Sequence, residues 1–395
     1  MNDLVIVTGA NAGALVLYAA SELQRYVRAL FGISAVIATE SEPAKAIAWI
    51  DTAAARIETV QDTQSFLLRR MEQSGRSDII AVGGSPISTL WAVYELVAQW
   101  GVQYLLHRDV MPDDPGPFYF PDVDQTWTPN LRSRCWRLIN DFALGPESWG
   151  IEENCRFIDQ AAKMKFNELY LSTYVWQSFV HYEFRGIKKE TGHSWFDFKY
   201  PVGGDTIGKE IFGGVNTFEN PDLAGITDYE ERHAAALALA QGIIDHAAKR
   251  GMTVDMSVPI LEYPMEFRSV LPGAQTAQQL GSCTCRPSSD QDPDDPLLVD
   301  LIRTILKTHV QTYPDVERFS VVFPEHREWL DRAEESWSNL DEKYQISEVM
   351  SLDDGIAAAR QRTQLHGGAE RQVTRVKGDV AMLCLLDKVL EDTTV

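Results

Sequence analysis

Short apolar runs and amphipathic helical stripes alternate along most of this chain, and that alternation is the strongest constraint on its fold. Leu4-Val-Ile-Val7 reads as a buried strand. Val16, Ala20, Leu23, Val27 and Leu30 then recur at alternating spacings of four and three, the stripe of an amphipathic helix, which Gly32 stops. Residues 33–38 predict a second strand, and Ile79–Val82 a third that ends at Gly83-Gly84. Leu90, Val93, Tyr94 and Val97 predict another helix, and Val102–Leu106 another strand. Prolines 112, 115, 117, 121 and 129 follow. Proline fixes φ and keeps its predecessor out of a helix, so this stretch predicts an extended connector. A domain boundary is placed near 128.

Beyond the connector the alternation becomes a series of strand–helix units. Ser133–Asn140 predicts a strand, and Phe157, Ile158, Ala161 and Met164 a helix over 152–165. Glu168–Thr173 is the second strand. A Gly- and aromatic-rich insertion, 174–228, precedes a helix carrying Leu237, Ala240, Ile244 and Ala247. Thr253–Val258 is the third strand, and a Pro/Asp-rich loop to 296 leads into a helix with Leu298, Leu301, Ile302 and Ile305. Arg318–Phe323 is the fourth strand, and two helical stretches are expected after it, with an acidic, solvated stretch over 334–354. Four such units in series predict half of a (β/α)8 barrel, about (β/α)4. The expected organisation is an α/β domain over 1–128 and a truncated TIM-type barrel over 129–395, in which strands one and four would each expose an edge open to self-association.

Composition narrows the function. The chain is 45% hydrophobic and 24% charged, which excludes a disordered or fibrous chain. Lys and Arg number 36 against 57 Asp and Glu, a net charge of −21. A field of that sign repels phosphate backbones and anionic lipid heads, so neither nucleic acid nor a membrane surface is an expected partner. No apolar run reaches the ~18–20 residues of a membrane helix. The N-terminus lacks a basic region followed by an apolar core. The five cysteines (135, 155, 283, 285 and 384) are odd in number and scattered, and Cys283-Thr-Cys285 is too tight for a zinc knuckle. The expectation is a reduced, cytoplasmic setting and no metal or cofactor.

Several motifs carry possible chemistry. Thr8-Gly-Ala-Asn-Ala-Gly13 superficially suits a dinucleotide loop but lacks the third glycine, and a plain strand–helix turn is the simpler reading. Gly83-Gly-Ser-Pro86 reads as an anion site on a helix N-terminus or, more simply, as a tight turn. Phe323-Pro-Glu325-His326-Arg-Glu328-Trp329 follows the fourth strand, at the end where barrels carry their chemistry. A carboxyl desolvated by Phe323 and Trp329 holds its proton towards neutral pH and suits a general acid, which singles out Glu325, with Glu328 and His326 beside it. Glu262 follows the third strand. Arg134, Trp136, Asn140 and Asp141 lie along or past the first strand, and Tyr174 and Trp176 past the second. Aromatic faces beside polar side chains at one barrel mouth suit a sugar ring.

Ala19-Ala-Ser-Glu-Leu-Gln-Arg-Tyr26 with Gly32, and Gly83-Gly-Ser-Pro-x-x-Thr-Leu-Trp-Ala-Val-Tyr-Glu-Leu96 with Gly101-Val-Gln-Tyr104, resemble the N-terminal domain that precedes the barrel in α-glucuronidases and β-N-acetylhexosaminidases. Arg132-Ser-Arg134 and Ile158-Asp-x-x-Ala-Lys-Met-Lys-Phe-Asn167 are similar to the start of their barrels. The resemblance implies an exo-acting glycoside hydrolase acting on a carbohydrate substrate, with Glu325 as general acid and Arg134 near a hydroxyl-binding arginine. Pro324-Glu325 departs from the hexosaminidase Asp-Glu pair, which favours the α-glucuronidase-like side. The family's remaining catalytic carboxylates come from later strands. That leaves a catalytically inactive carbohydrate-binding or partner-assembled chain, and a nucleotide-dependent oxidoreductase, as the alternatives.

Overall fold

The computed structural model describes residues 3–40, 44–50, 55, 60–73, 75–138, 148–193, 200–201, 203–204, 209, 214, 216–277, 284–324 and 327–391. The chain divides into two compact units. One comprises Met1–Leu138, Trp149–Tyr170 and Gly242–Val254, and the other Ile139–Ser148, Leu171–Gln241 and Asp255–Val395.

The first unit is built on a six-stranded mixed sheet. Val5–Val7 lies between Val36–Ala38 and Ala46–Trp49, parallel to both, and Ala46–Trp49 is parallel in turn to Arg76–Gly83. Phe66–Gln73 then pairs antiparallel with Arg76–Gly83 on one side and with Asp124–Trp127 on the other. The expected apolar stripe forms the helix Ala14–Phe31, which buries Val16, Ala19, Ala20, Leu23, Tyr26 and Val27. Gly32 ends it in the left-handed region at φ 69°, its N–H closing on the Arg28 carbonyl, a conformation that glycine adopts without steric cost. The helix Pro86–Gln99 is started by Ser85, whose hydroxyl accepts from Ser88 N while Ser88 reaches back to Ser85 N. Burying Leu90, Trp91, Val93, Tyr94, Leu96 and Val97 gives this helix its place in the core, each large side chain contributing roughly 1.5–3 kcal/mol.

Two expectations for this region are corrected, and the simpler of the two readings of the Gly83-Gly84 turn is the one observed. The proline-rich connector contains the strand Asp124–Trp127, held by its backbone pairing to Phe66–Arg69. The expected strand Val102–Leu106 shrinks to Gln103–Tyr104, paired with Asp109–Val110. The Gly83-Gly84 turn is glycine for packing: a Cβ at Gly83 would lie 2.3 Å from the Ser88 backbone, and one at Gly84 2.1 Å from the Asp62 carbonyl. The turn is therefore filled by protein where an anion was considered.

Four strands, Cys135–Leu138, Glu168–Leu171, Thr253–Pro259 and Arg318–Val322, form a second sheet in which sequence neighbours are sheet neighbours. The last two are parallel, in a register that sets Asp255 against Arg318 and Pro259 against Val322. The helices Ile151–Lys163, Tyr229–Lys249 and Pro296–Thr312 follow the first three strands. Asp295 caps the last of these, accepting from Leu297 N at 2.9 Å ahead of Pro296 in the first turn. Among the described residues no further strand joins this sheet, and it does not close.

Two further expectations are corrected here. The loop to 296 contains a small antiparallel sheet of Tyr263–Pro264, Gln275–Thr276 and Thr284–Arg286. Three helices follow the fourth strand where two were expected: Ala333–Tyr344, Leu352–Arg360 and Gly368–Leu390. The first of them runs through the opening half of the acidic stretch, and the second begins at its end.

Candidate functional site

The chemistry-bearing residues of the second unit lie beyond the C-terminal ends of the second, third and fourth strands. The second strand continues into Thr173, whose backbone N–H donates to Ser257 Oγ and whose hydroxyl donates to the Ser257 carbonyl, both at 2.6 Å. This fixes the exit of the chain towards Tyr174. The Tyr174 and Trp176 rings stack at 4.3 Å with planes 12° apart. Trp176 is 2% exposed and Tyr174 is half-buried.

The backbone of this segment is unusually well satisfied. The Tyr174 carbonyl accepts from Gln177 N and the Trp176 carbonyl from His193 N. Gln177 and Val180 accept from the Lys189 ammonium, Ser178 from His233 Nδ1 and Phe179 from the Tyr313 hydroxyl. Buried carbonyls need partners, and here two backbone N–H groups and the side chains of Lys189, His233 and Tyr313 supply them. Beside it lies a cavity of about 10 Å3, whose lining includes Tyr174, Gln177, Lys189 and His309. His309 donates from Nδ1 to the Ile305 carbonyl, and burial pulls its pKa down to about 4, so its imidazole is neutral at ordinary pH.

Beyond the fourth strand, three consecutive side chains are pinned. Arg327 Nε donates to Asp379 at 2.6 Å, and Gly378 leaves it room, since a Cβ there would lie 2.5 Å from the Arg327 Cβ. Glu328 pairs with Arg286 Nη1 at 2.8 Å. Burial raises the Glu328 carboxyl above its ordinary value, and Arg286 only partly opposes that. Trp329 is 1% exposed, and its indole N–H donates to the Gln291 carbonyl at 2.6 Å. Its backbone sits at φ 55°, a left-handed conformation that is uncommon and costly for a bulky residue. Tertiary bonds on both sides therefore hold a strained segment whose Glu328 carboxyl is paired with Arg286 and raised by burial. Glu262, three residues past the third strand, is half-buried in the Ile260–Tyr263 turn, which Tyr263 closes by donating to the Ile260 carbonyl.

Glu325, His326, Asn140 and Asp141 lie outside the described residues. Arg134 precedes the first strand, at the end opposite the strand's C-terminus. Its guanidinium donates to the carbonyls of Lys165 and Leu131 and to Gln64, and lies over the Trp91 ring at 4.7 Å. Trp136 packs edge-on against Phe157 and Phe166, so it faces the helix layer. Side chains alternate across a strand, and it is Arg137 that turns to the other face, over Tyr170 at 5.1 Å. Arg286, Lys189 and His309 were not singled out from sequence. Among the described residues no group of three or more His, Cys, Asp or Glu side chains could hold a metal ion, and no helix is long and apolar enough to cross a membrane.

No protein-family model matches the sequence, and no curated protein matches it. Among solved structures the chain is similar to a GH138 enzyme targeting pectin rhamnogalacturonan II. The identity is 13% over 82% of this chain and 39% of that one, with a TM-score of 0.47. It is similar to a GH20 exo-β-N-acetylglucosaminidase from Vibrio harveyi, solved in complex with N-acetylglucosamine, at 11% identity over 94% of this chain and 50% of that one, with a TM-score of 0.40. The GH20 chitobiase of Flavobacterium johnsoniae gives 13% identity over 96% of this chain and 48% of that one, with a TM-score of 0.45. The chain spans half or less of the length of these three enzymes.

Proposed function

We propose that this is a carbohydrate-active chain of the exo-glycoside hydrolase kind, α-glucuronidase-like, working by carboxylate acid/base chemistry on an O-glycosidic bond. One observation carries the reading. The segment after the fourth strand holds Glu328, its carboxyl raised by burial and paired with Arg286, beside a strained Trp329. Such a segment fits proton donation to a departing sugar oxygen. Tyr174, half-buried and stacked on Trp176, adds an aromatic pair of the kind found beside sugar rings.

In this reading Glu325, three residues before Glu328, is the general acid, and Glu328, Glu262 and His326 are substrate-binding residues. The motifs at 19–32, 83–104 and 132–167 give the family expectation independently of the site. Replacing Glu325 with Gln tests it. Hydrolysis of substrates with basic, poor leaving groups should fall about 10²–10⁴-fold, and activated aryl glycosides should lose less, because protonation matters most when the departing alkoxide is basic. Equal loss on both would assign Glu325 a structural role.

The open four-stranded sheet favours a second reading, sugar binding without turnover. Hydrolysis of this kind uses two carboxyl groups roughly 5–9.5 Å apart, and binding alone needs neither. Calorimetric binding of sugars with no product release would select this reading.

A further inference from the structure

One buried cation organises the segment that carries Tyr174 and Trp176. Lys189 is 2% exposed, and its Nζ donates to the carbonyls of Gln177 and Val180. Lysine is almost never fully buried unless paired, yet among the described residues no carboxylate makes an ion pair with it. Glu266 is the acid whose charge reaches it, and that carboxylate is occupied by the N–H groups of Glu190 and Thr191 and by the Thr191 hydroxyl. From Lys189 the connection runs through Gln177, whose side-chain oxygen accepts from Tyr174 N at 2.9 Å and whose N–H donates back to the Tyr174 carbonyl.

We propose that Lys189 is the positioning residue of the Tyr174–Trp176 face, holding it firmly as the ammonium and more loosely as the amine. Whether that face meets a sugar rests on the function proposed above; the positioning does not. Burial draws the Lys189 pKa down to about 7, opposed by Glu266. Both forms are therefore populated near neutrality, the released proton going to solvent. The amine keeps two N–H groups and still reaches both carbonyls, but without the charge that strengthens such bonds. The other titratable groups around it are His309, which lines the same cavity and is neutral in this range, Tyr182, whose ring lies 5.8 Å from Nζ, and His181, whose own pKa is lowered by burial, by His233 and by the Lys189 charge.

The test is amide hydrogen exchange, corrected for intrinsic rates, at Gln177 and His193, whose N–H groups donate to the Tyr174 and Trp176 carbonyls. It is run at pH 6 and pH 8 on the wild type, Lys189→Met and Lys189→Arg, with calorimetric titration of uronic acids and N-acetylhexosamines alongside. In Lys189→Met, protection should fall about tenfold at both amides, Thr173 serving as the unchanged reference. Wild-type protection should fall between pH 6 and pH 8, and Lys189→Arg should keep its protection across that range. Should the Met variant fail to fold, the wild-type pH series decides alone. Protection indifferent to the Met substitution, or to pH in the wild type, overturns the proposal. Expected exchange without sugar binding at either pH would sink the carbohydrate reading alone. Sugars binding equally to wild type and the Met variant, with unchanged exchange, would sink the positioning alone.

Discussion

Thr173 and Ser257 exchange three hydrogen bonds: Thr173 N to Ser257 Oγ, Thr173 Oγ1 to the Ser257 carbonyl, and Ser257 Oγ back to the Thr173 carbonyl at 3.2 Å. Both residues are buried. The serine hydroxyl is thus donor and acceptor at one point. Ser257→Ala should destabilise the protein by about 1–3 kcal/mol, because it leaves a buried N–H unsatisfied. Urea unfolding of the variant checks this, and a loss within error of zero would show that the chain end relaxes to find other partners.

Glu328 should leave a signature in the pH dependence of stability. Its folded pKa is raised by burial, so in the range above the ordinary carboxylate value the native state holds a proton that the unfolded chain has released. The stabilisation is complete below that value and is lost as pH rises through the folded pKa. Glu328→Gln should flatten this part of the curve. Arg286→Met, which removes the opposing cation, should move the loss to higher pH. Chemical unfolding from pH 4 to pH 7 would show both, and identical slopes in all three proteins would contradict the assignment.

Asp159 behaves in the opposite sense. It accepts from His246 Nε2 at 2.8 Å and from Arg250 Nε at 2.7 Å. Burial pushes its carboxyl up, but His246 and Arg250 outweigh that and hold it below the ordinary value. The stabilisation is present above the unfolded pKa and lost as pH falls through the folded one. Asp159→Asn should cost about 1 kcal/mol at pH 7, given its partial exposure, and less at pH 3. A cost that does not shrink in acid would place the effect in packing.

His309 supplies a sharper acid transition. With its folded pKa drawn down to about 4 by burial, the native state refuses a proton that the unfolded chain accepts below about 6.5. Stability should therefore decline as pH falls from 6.5 towards 4, by about 3 kcal/mol. His309→Leu should be the less stable protein at pH 7 and lose less on acidification. A stability gap that stays constant from pH 7 to pH 4.5 would mean that the imidazole does not titrate in this window.

Helix Ala14–Phe31 was legible because one face must be apolar at every turn, and Gly32 supplies the left-handed stop. Strand Phe66–Gln73 was not: Phe66-Leu-Leu gives way to Arg69-Arg70, and its place comes from antiparallel pairing with Arg76–Gly83 around Gly75. Arg69 is held by Asp124, a partner that no local pattern reveals. Strand Asp124–Trp127 was hidden by its polar composition, and Trp127 meets Phe66 across the strand pair, their rings stacked at 5.3 Å. In the site, the positions after each strand could be read, but the direction of each side chain could not. Which of Trp136 and Arg137 meets the helix layer depends on Phe157 and Phe166. Nothing in Gly186-Ile-Lys-Lys-Glu190 distinguishes buried Lys189 from exposed Lys188.

The satisfied backbone after the second strand restricts what can be recognised there. Between Tyr174 and Val180, six carbonyl oxygens are already occupied by donors from within the protein. A visiting molecule rich in hydroxyls therefore finds few main-chain acceptors to compete for, and would have to break a native bond to use one of these six.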